Sequence, residues 1–217
     1  FWKFCYIFFY KSFDSIICIS NSQAEDLVKN FRTKRKKINV IYNPIDLTKC
    51  NYLSNLSIKD KNYSIFNKKS EIMYFVAVGA LSKQKGFENL IDGFNLIKNK
   101  EFQLYIIGDG PLKLQLQTKI NDLQLDKKIT LIKFTNNPYI WIKNADFFIM
   151  SSVYEGLGTV ILESISLGTP VLSLPTSGIG KEILSDIPGC YVAKENSYQS
   201  LSELINSQWG QKYKLDE

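Results

Sequence analysis

The chain has 217 residues, 45% of them hydrophobic and 22% charged, with 27 Lys and Arg against 21 Asp and Glu and a net charge of +6, the composition of a soluble globular chain with room for a core. Histidine is absent, which excludes Ser-His-Asp and Cys-His triads, His-ligated zinc or iron, haem with a proximal His and an imidazole general base. The positive balance suits an anionic partner such as a nucleotide, an acidic membrane surface or a nucleic acid, but every cation except Arg32 and Arg35 is a lysine, and base reading leans on bidentate arginine.

The N-terminal run FWKFCYIFFY is aromatic, yet Lys3, Lys11 and Asp14 interrupt it well before the roughly 20 apolar residues of a spanning helix. It has no small-residue cleavage site and is not read as a signal peptide. Two readings stay open for it: a segment that, with the lysine-rich surface, suits a cytoplasmic leaflet, or a helix whose apolar face packs inside a larger domain. The β-branched run at 15–20 predicts a strand. Ser22 followed by Glu25 predicts a capping box, with Ala24, Leu27, Val28 and Phe31 on one helix face. The basic cluster from Arg32 to Lys37 reads as a solvated loop. A strand is expected at 38–42, stopped by Asn43-Pro44. Residues 47–69 are rich in Asn, Ser and Lys without periodicity, and read as a linker with a short helical turn. Cys5, Cys18, Cys50 and Cys190 show neither zinc-ribbon nor disulfide spacing, so reduced, cytosolic thiols are expected.

From Glu71 onward short apolar runs alternate with amphipathic segments. Strands are predicted at 72–78, 103–107, 129–134, 147–150 and 171–174, and helices at 87–98, 112–123, 139–143, 159–167, 181–184 and 197–205. Near-continuously hydrophobic strands alternating with helices predict an α/β fold, a Rossmann-like parallel sheet with helices on both faces. Ligands of such sheets bind beyond the carboxyl ends of the strands.

Three strand-to-helix junctions carry the chemistry. The first runs from Val78 and Gly79 through Lys85 and Gly86, where a lysine beside a helix start can hold a phosphate or simply lie solvated. The second, Gly108-Asp109-Gly110-Pro111, lacks the third glycine of a dinucleotide fingerprint, and reads equally as a turn or as a cleft wall. The third spans Ser151 to Glu163, with Glu155 on a glycine-containing loop and Glu163 about one turn inside the next helix. Amides near Gly158 and Thr159 are free for an anion there. Glu163, among Ile161, Leu162 and Ile165, either bonds something specific or is an ordinary exposed glutamate.

Taken together, Ile19-Ser20-Asn21-Ser22, Val40-Ile41-Tyr42-Asn43-Pro44-Ile45-Asp46, Val78 to Phe87, Gly108 to Pro111, the two glutamates Glu155 and Glu163, and Leu167 to Val171 resemble the retaining GT-B glycosyltransferases of family 4, also called group 1. The resemblance implies the C-terminal half of a GT-B fold: residues 1–42 as the end of an acceptor domain, 43–70 as the crossover, and 71–217 as a nucleotide-sugar domain whose C-terminal crossing helix is cut short. It implies that Lys85 contacts the donor diphosphate with the amides of Gly158, Thr159 and Val160 at a helix start, and that Gly79, Gly156 and Leu157 belong to the same donor site. Glu155 is implied to bind the transferred sugar near its anomeric carbon and Glu163 the ribose, with Phe134 and Thr135 near the base. Glu155 and Lys85 are the catalytic pair of that reading, with no metal and no cofactor beyond the nucleoside-diphosphate sugar as donor substrate. Ala80 stands where many members have an arginine, which shifts the diphosphate onto Lys85. The expected partners are a nucleotide sugar and a glycan or lipid-linked acceptor, with peripheral membrane contact allowed and no nucleic acid. The expected place is cytoplasmic, at the inner face of the membrane. The alternatives are a nucleotide-sugar-binding module without turnover and, on charge alone, a nucleic-acid-binding domain.

Overall fold

The computed structural model describes residues 2–56, 71–175, 182–211 and 215, with side chains from residue 5 onward. In chain order the elements are α1 (Trp2–Ser12), β1 (Ile16–Cys18), α2 (Asn21–Phe31), β2 (Ile38–Val40), α3 (Leu47–Ser54), β3 (Met73–Val78), α4 (Phe87–Asn95), β4 (Phe102–Ile107), α5 (Lys113–Asp122), β5 (Ile129–Ile132), α6 (Tyr139–Asn144), β6 (Phe147–Met150), α7 (Thr159–Ser166), β7 (Val171–Ser173), β8 (Tyr191–Val192) and α8 (Tyr198–Ser207). β1 and β2 pair in parallel as a small sheet of their own. The other strands form one six-stranded sheet in the order β5-β4-β3-β6-β7-β8, every neighbouring pair parallel.

The central strand β3 shows why its sequence reads as a continuous apolar run. Phe75 and Ala77 face a core shared with Leu90 and Phe94 of α4, Leu116 of α5 and Leu201 of α8. Tyr74 and Val76 face the opposite core, shared with Cys50 of α3, Ile142 of α6 and Ile161 of α7. Both faces are covered, so alternation is lost and the fold is the expected α/β layering. Trp209 closes the first core, its ring 5.9 Å from Phe75 and under Lys100 Nζ at 4.7 Å.

Four local expectations change. Ser20, not Ser22, caps α2: its Oγ accepts from Gln23 N at 3.1 Å, because the chain leaves β1 still extended at Ser20. The stretch read as aperiodic linker contains α3, a two-turn helix capped by Asp46, whose Oδ1 accepts from Lys49 N at 2.9 Å. It is stabilised by burying Cys50 and Ser54, a tertiary effect that periodicity does not register; residues 57–70 lie outside the described residues. The predicted helix at 181–184 falls partly outside them too, and its described end runs into a single 3₁₀ turn, Leu184–Asp186. β5 ends at Ile132, two residues before Phe134. The four cysteines are free, as expected. Among the described residues no helix is long and apolar enough to cross a membrane.

Candidate functional site

The strand order turns back between β3 and β6, where the chain leaves one strand toward β4 and the other toward β7, so the loops after these two strands part and leave a crevice at the carboxyl edge. A cleft of about 480 Å³ opens there, lined by Val78, Gly79, Ala80 and Lys85 from the first loop, by the run from Glu155 to Val160 with Glu163, and by Ile19 and Asn43 from the N-terminal segment.

The two loops are laced together, which fixes Lys85. Val153 N donates to Gln84 O at 2.8 Å, and Ser151 Oγ donates to Lys85 O at 2.8 Å. Gly86, the next residue, has φ +64 and no room for a side chain, since a Cβ there would stand 2.2 Å from Ser151 O. The aliphatic stem of Lys85 lies over Gly79, where an added Cβ would come within 3.0 Å of it. Gly79 therefore makes way for the lysine. The Gly108-Asp109-Gly110-Pro111 turn supports this loop from behind: a Cβ on Gly108 would strike Gly79 O at 1.9 Å, Leu81 N donates to Asp109 O, and Leu112 N donates to Leu81 O. Of its two readings the structure shows the turn; it does not line the cleft.

Lys85 Nζ lies 2.5 Å from Glu155 Oε1, with the two side chains only 20% and 9% exposed. Ser152 Oγ donates to the same oxygen at 2.8 Å. The cation and the carboxylate thus neutralise each other at the edge of the cleft. Beside them α7 begins at Gly158, whose φ is +58 and which provides no side-chain cap, leaving the positive end of the helix facing the cleft. One turn further, Glu163 is half-buried and its Oε1 accepts from Tyr139 Oη at 3.1 Å, so it bonds a specific partner. Burial of the Tyr139 hydroxyl, and then the charge of Glu163, push the phenol's pKa well up, which keeps it a donor to that carboxylate.

The structure brings Gly79, Lys85, Glu155, Gly156, Leu157, Gly158, Thr159, Val160 and Glu163 around one cleft. Phe134 and Thr135 follow β5, two strands away, and do not line it; Phe134 is exposed, and Thr135 Oγ1 accepts from Asn137 N at 3.1 Å. Sequence reasoning missed Ser152, Tyr139, Ile19 and Asn43. Tyr139 sits in an apolar helical run that reads as core, and Ile19 and Asn43 reach the cleft only through tertiary packing. Among the described residues no group of three or more His, Cys, Asp or Glu side chains is gathered for a metal.

The family model for glycosyl transferases group 1 matches residues 58–212, and that for Glycosyltransferase Family 4 matches residues 1–49. The chain is 32% identical over 186 residues to the N-acetylgalactosamine-N,N'-diacetylbacillosaminyl-diphospho-undecaprenol 4-alpha-N-acetylgalactosaminyltransferase of Campylobacter jejuni, covering 85% of this chain and 47% of that protein. It is 30% identical over 212 residues to the UDP-Gal:alpha-D-GlcNAc-diphosphoundecaprenol alpha-1,3-galactosyltransferase of Escherichia coli, covering 94% and 54%. The chain spans about half the length of the curated relatives it matches. Its fold matches a glycosyltransferase from Rickettsia africae with a TM-score of 0.80 at 18% identity, over 95% of this chain and 57% of that one. It matches Anabaena HepE, solved with UDP and glucose, with a TM-score of 0.79 at 19% identity, over 96% and 57%.

Proposed function

The chain belongs to the group 1 glycosyl transferases, and on that premise we propose that it forms the donor-binding side of a retaining glycosyltransferase, which moves a sugar from a nucleoside diphosphate to a glycan or lipid-linked acceptor. The observation that carries this reading is the Lys85–Glu155 pair at 2.5 Å, set beside the uncapped start of α7 at the switch point of the sheet.

An incoming diphosphate competes with Glu155 for Lys85. Its charge is held by the ammonium and by the amides around Gly158, Thr159 and Val160, where the helix dipole adds to the attraction. Glu155, released from the lysine, accepts hydrogen bonds from hydroxyls of the sugar. Glu163, steadied by Tyr139, accepts from the ribose, and Phe134 and Thr135 lie along the same carboxyl edge, toward the base. When the glycosidic bond breaks, negative charge grows on the leaving diphosphate, and Lys85 with the α7 amides stabilises it there. In this reading the donor sugar nucleotide is the only small molecule the half-site needs.

The Campylobacter and Escherichia relatives are named for α-linkages on diphospho-undecaprenol acceptors, which supports a lipid-linked acceptor and an α-linked product. We place residues 1–42 on the acceptor side and the protein at the inner face of a membrane. The support is that both relatives are named for diphospho-undecaprenol acceptors and that the turn Arg35–Lys37 is basic, with Arg35 and Lys36 exposed. Cationic groups so placed suit an anionic interface.

Transfer from UDP- and GDP-linked sugars to an undecaprenyl-diphosphate-linked glycan tests the proposal. NMR of the product is expected to show an α-linked donor's configuration kept; an inverted linkage, or tight nucleotide binding with no transfer to any such acceptor, contradicts it.

A further inference from the structure

Far from the Lys85–Glu155 pair in sequence, one carboxylate ties the N-terminal segment to the donor side. Glu182 Oε1 accepts from Ser22 N at 2.7 Å, and its Oε2 accepts from Asn21 N at 3.0 Å and from Tyr42 Oη at 3.0 Å. Asn21 Nδ2 in turn donates to Tyr42 Oη at 2.8 Å. Ser20 takes the next amide of α2, Gln23 N, at 3.1 Å. The start of α2 is therefore capped partly by its own chain and partly by a charge from 160 residues away.

The residues Glu182 holds are next to the two N-terminal residues that line the cleft. Ile19 lies two positions before Asn21, and Asn43 directly follows Tyr42. Ile19 also rests on the loop that carries Glu155: a Cβ added to Gly156 would stand 3.1 Å from Ile19 Cδ1. A charge-assisted bond pair at a helix start is about twice as strong as a neutral one, so this is the strongest polar tie described between the N-terminal segment and the donor side.

We propose that Glu182 is a positioning residue that sets the wall of the donor cleft formed by Ile19 and Asn43, and through Ile19 steadies the loop bearing Glu155. It touches no substrate in this reading, which rests on the donor site proposed for Lys85 and Glu155. Without its charge, the start of α2 loses two amide partners, the segment around Ile19 and Asn43 separates from the donor side, and the cleft opens on that flank.

Hydrogen exchange of the whole chain, with and without UDP, tests this in Glu182→Gln, which keeps the side chain's size, and in Tyr42→Phe, which removes one bond and leaves the carboxylate paired. In Glu182→Gln, exchange is expected to rise about tenfold at residues 16–23 and 151–158 while 102–107 stays at the wild-type rate, and UDP binding is expected to weaken several-fold. Tyr42→Phe should shift the same segments by a smaller factor. Wild-type exchange at 16–23 in both variants overturns the proposal. So does faster exchange at 16–23 with 151–158 unchanged, because the contact then only caps a helix. Failure of the wild type to bind UDP counts against the donor reading alone, since the exchange pattern still decides the role of Glu182.

Discussion

Lys85 and Glu155 pair with each other, so on the proposed reading either substitution acts twice, on the pair and on the ligand. Lys85→Met removes a charge-assisted contact, generally about 1.5–3 kcal/mol, and is expected to weaken UDP or GDP binding tenfold to a hundredfold by calorimetry. Tyr139→Phe should raise the dissociation constant several-fold and leave transfer at saturating donor near wild type, since it only loosens Glu163. An equal loss in kcat would place Tyr139 in the chemistry instead. Gly86→Ala combines a φ of +64 with a 2.2 Å approach to Ser151 O, and a destabilisation of about 2 kcal/mol or more is expected, read as a melting temperature lower by about 4–8 °C. Lys85, Glu155 and Glu163 were legible because each stands at a strand-to-helix junction, where composition departs from its surroundings. Tyr139 was not, because its hydroxyl finds Glu163 across 24 residues from within an otherwise apolar run.

Among the elements, α7 and α3 show opposite degrees of legibility. The start of α7 announces itself by glycine after a buried strand, and its lack of a capping side chain leaves its positive end facing the cleft. α3 was hidden by a polar sequence with no period; Asp46 caps it, and Cys50 anchors it in the core shared with α6 and α7. The capping residue of α2 was misplaced by two positions, since the Ser22–Glu25 spacing mimics a box that the extended Ser20 pre-empts. Ser20→Ala therefore should cost about 1 kcal/mol, a fall of about 2–4 °C in melting temperature, while Ser22→Ala, whose side chain has no capping role, should leave it within a degree.

At the scale of the whole molecule, the alternation of apolar runs and helices foretold a parallel sheet, but not its strand order. That order, β5-β4-β3-β6-β7-β8, decides that the first and third junctions meet while Phe134 stays two strands away. The join between the N-terminal segment and the sheet depends on a charge. Burial of Glu182 pushes its pKa up, but the amides of Ser22 and Asn21 and the Tyr42 hydroxyl outweigh that and hold it below the ordinary 4.5. A depressed carboxylate pKa contributes stability that is present above the ordinary value and is lost as pH falls through the folded one. Acid should therefore loosen residues 16–43 below about pH 4.5 in the wild type, and Glu182→Gln should lack this component; an identical acid profile in both would contradict the assignment.

On the proposed reading the cleft between β3 and β6 is built for a nucleoside diphosphate and Lys85 holds it. Calorimetric titration of the wild type and Lys85→Met with UDP and GDP tests it most directly. Saturable one-site binding of at least one of them to the wild type is expected, weakened at least about tenfold, or about 1.4 kcal/mol, in Lys85→Met. Equal affinity in the two proteins, or no binding of either nucleotide to the wild type, would contradict it.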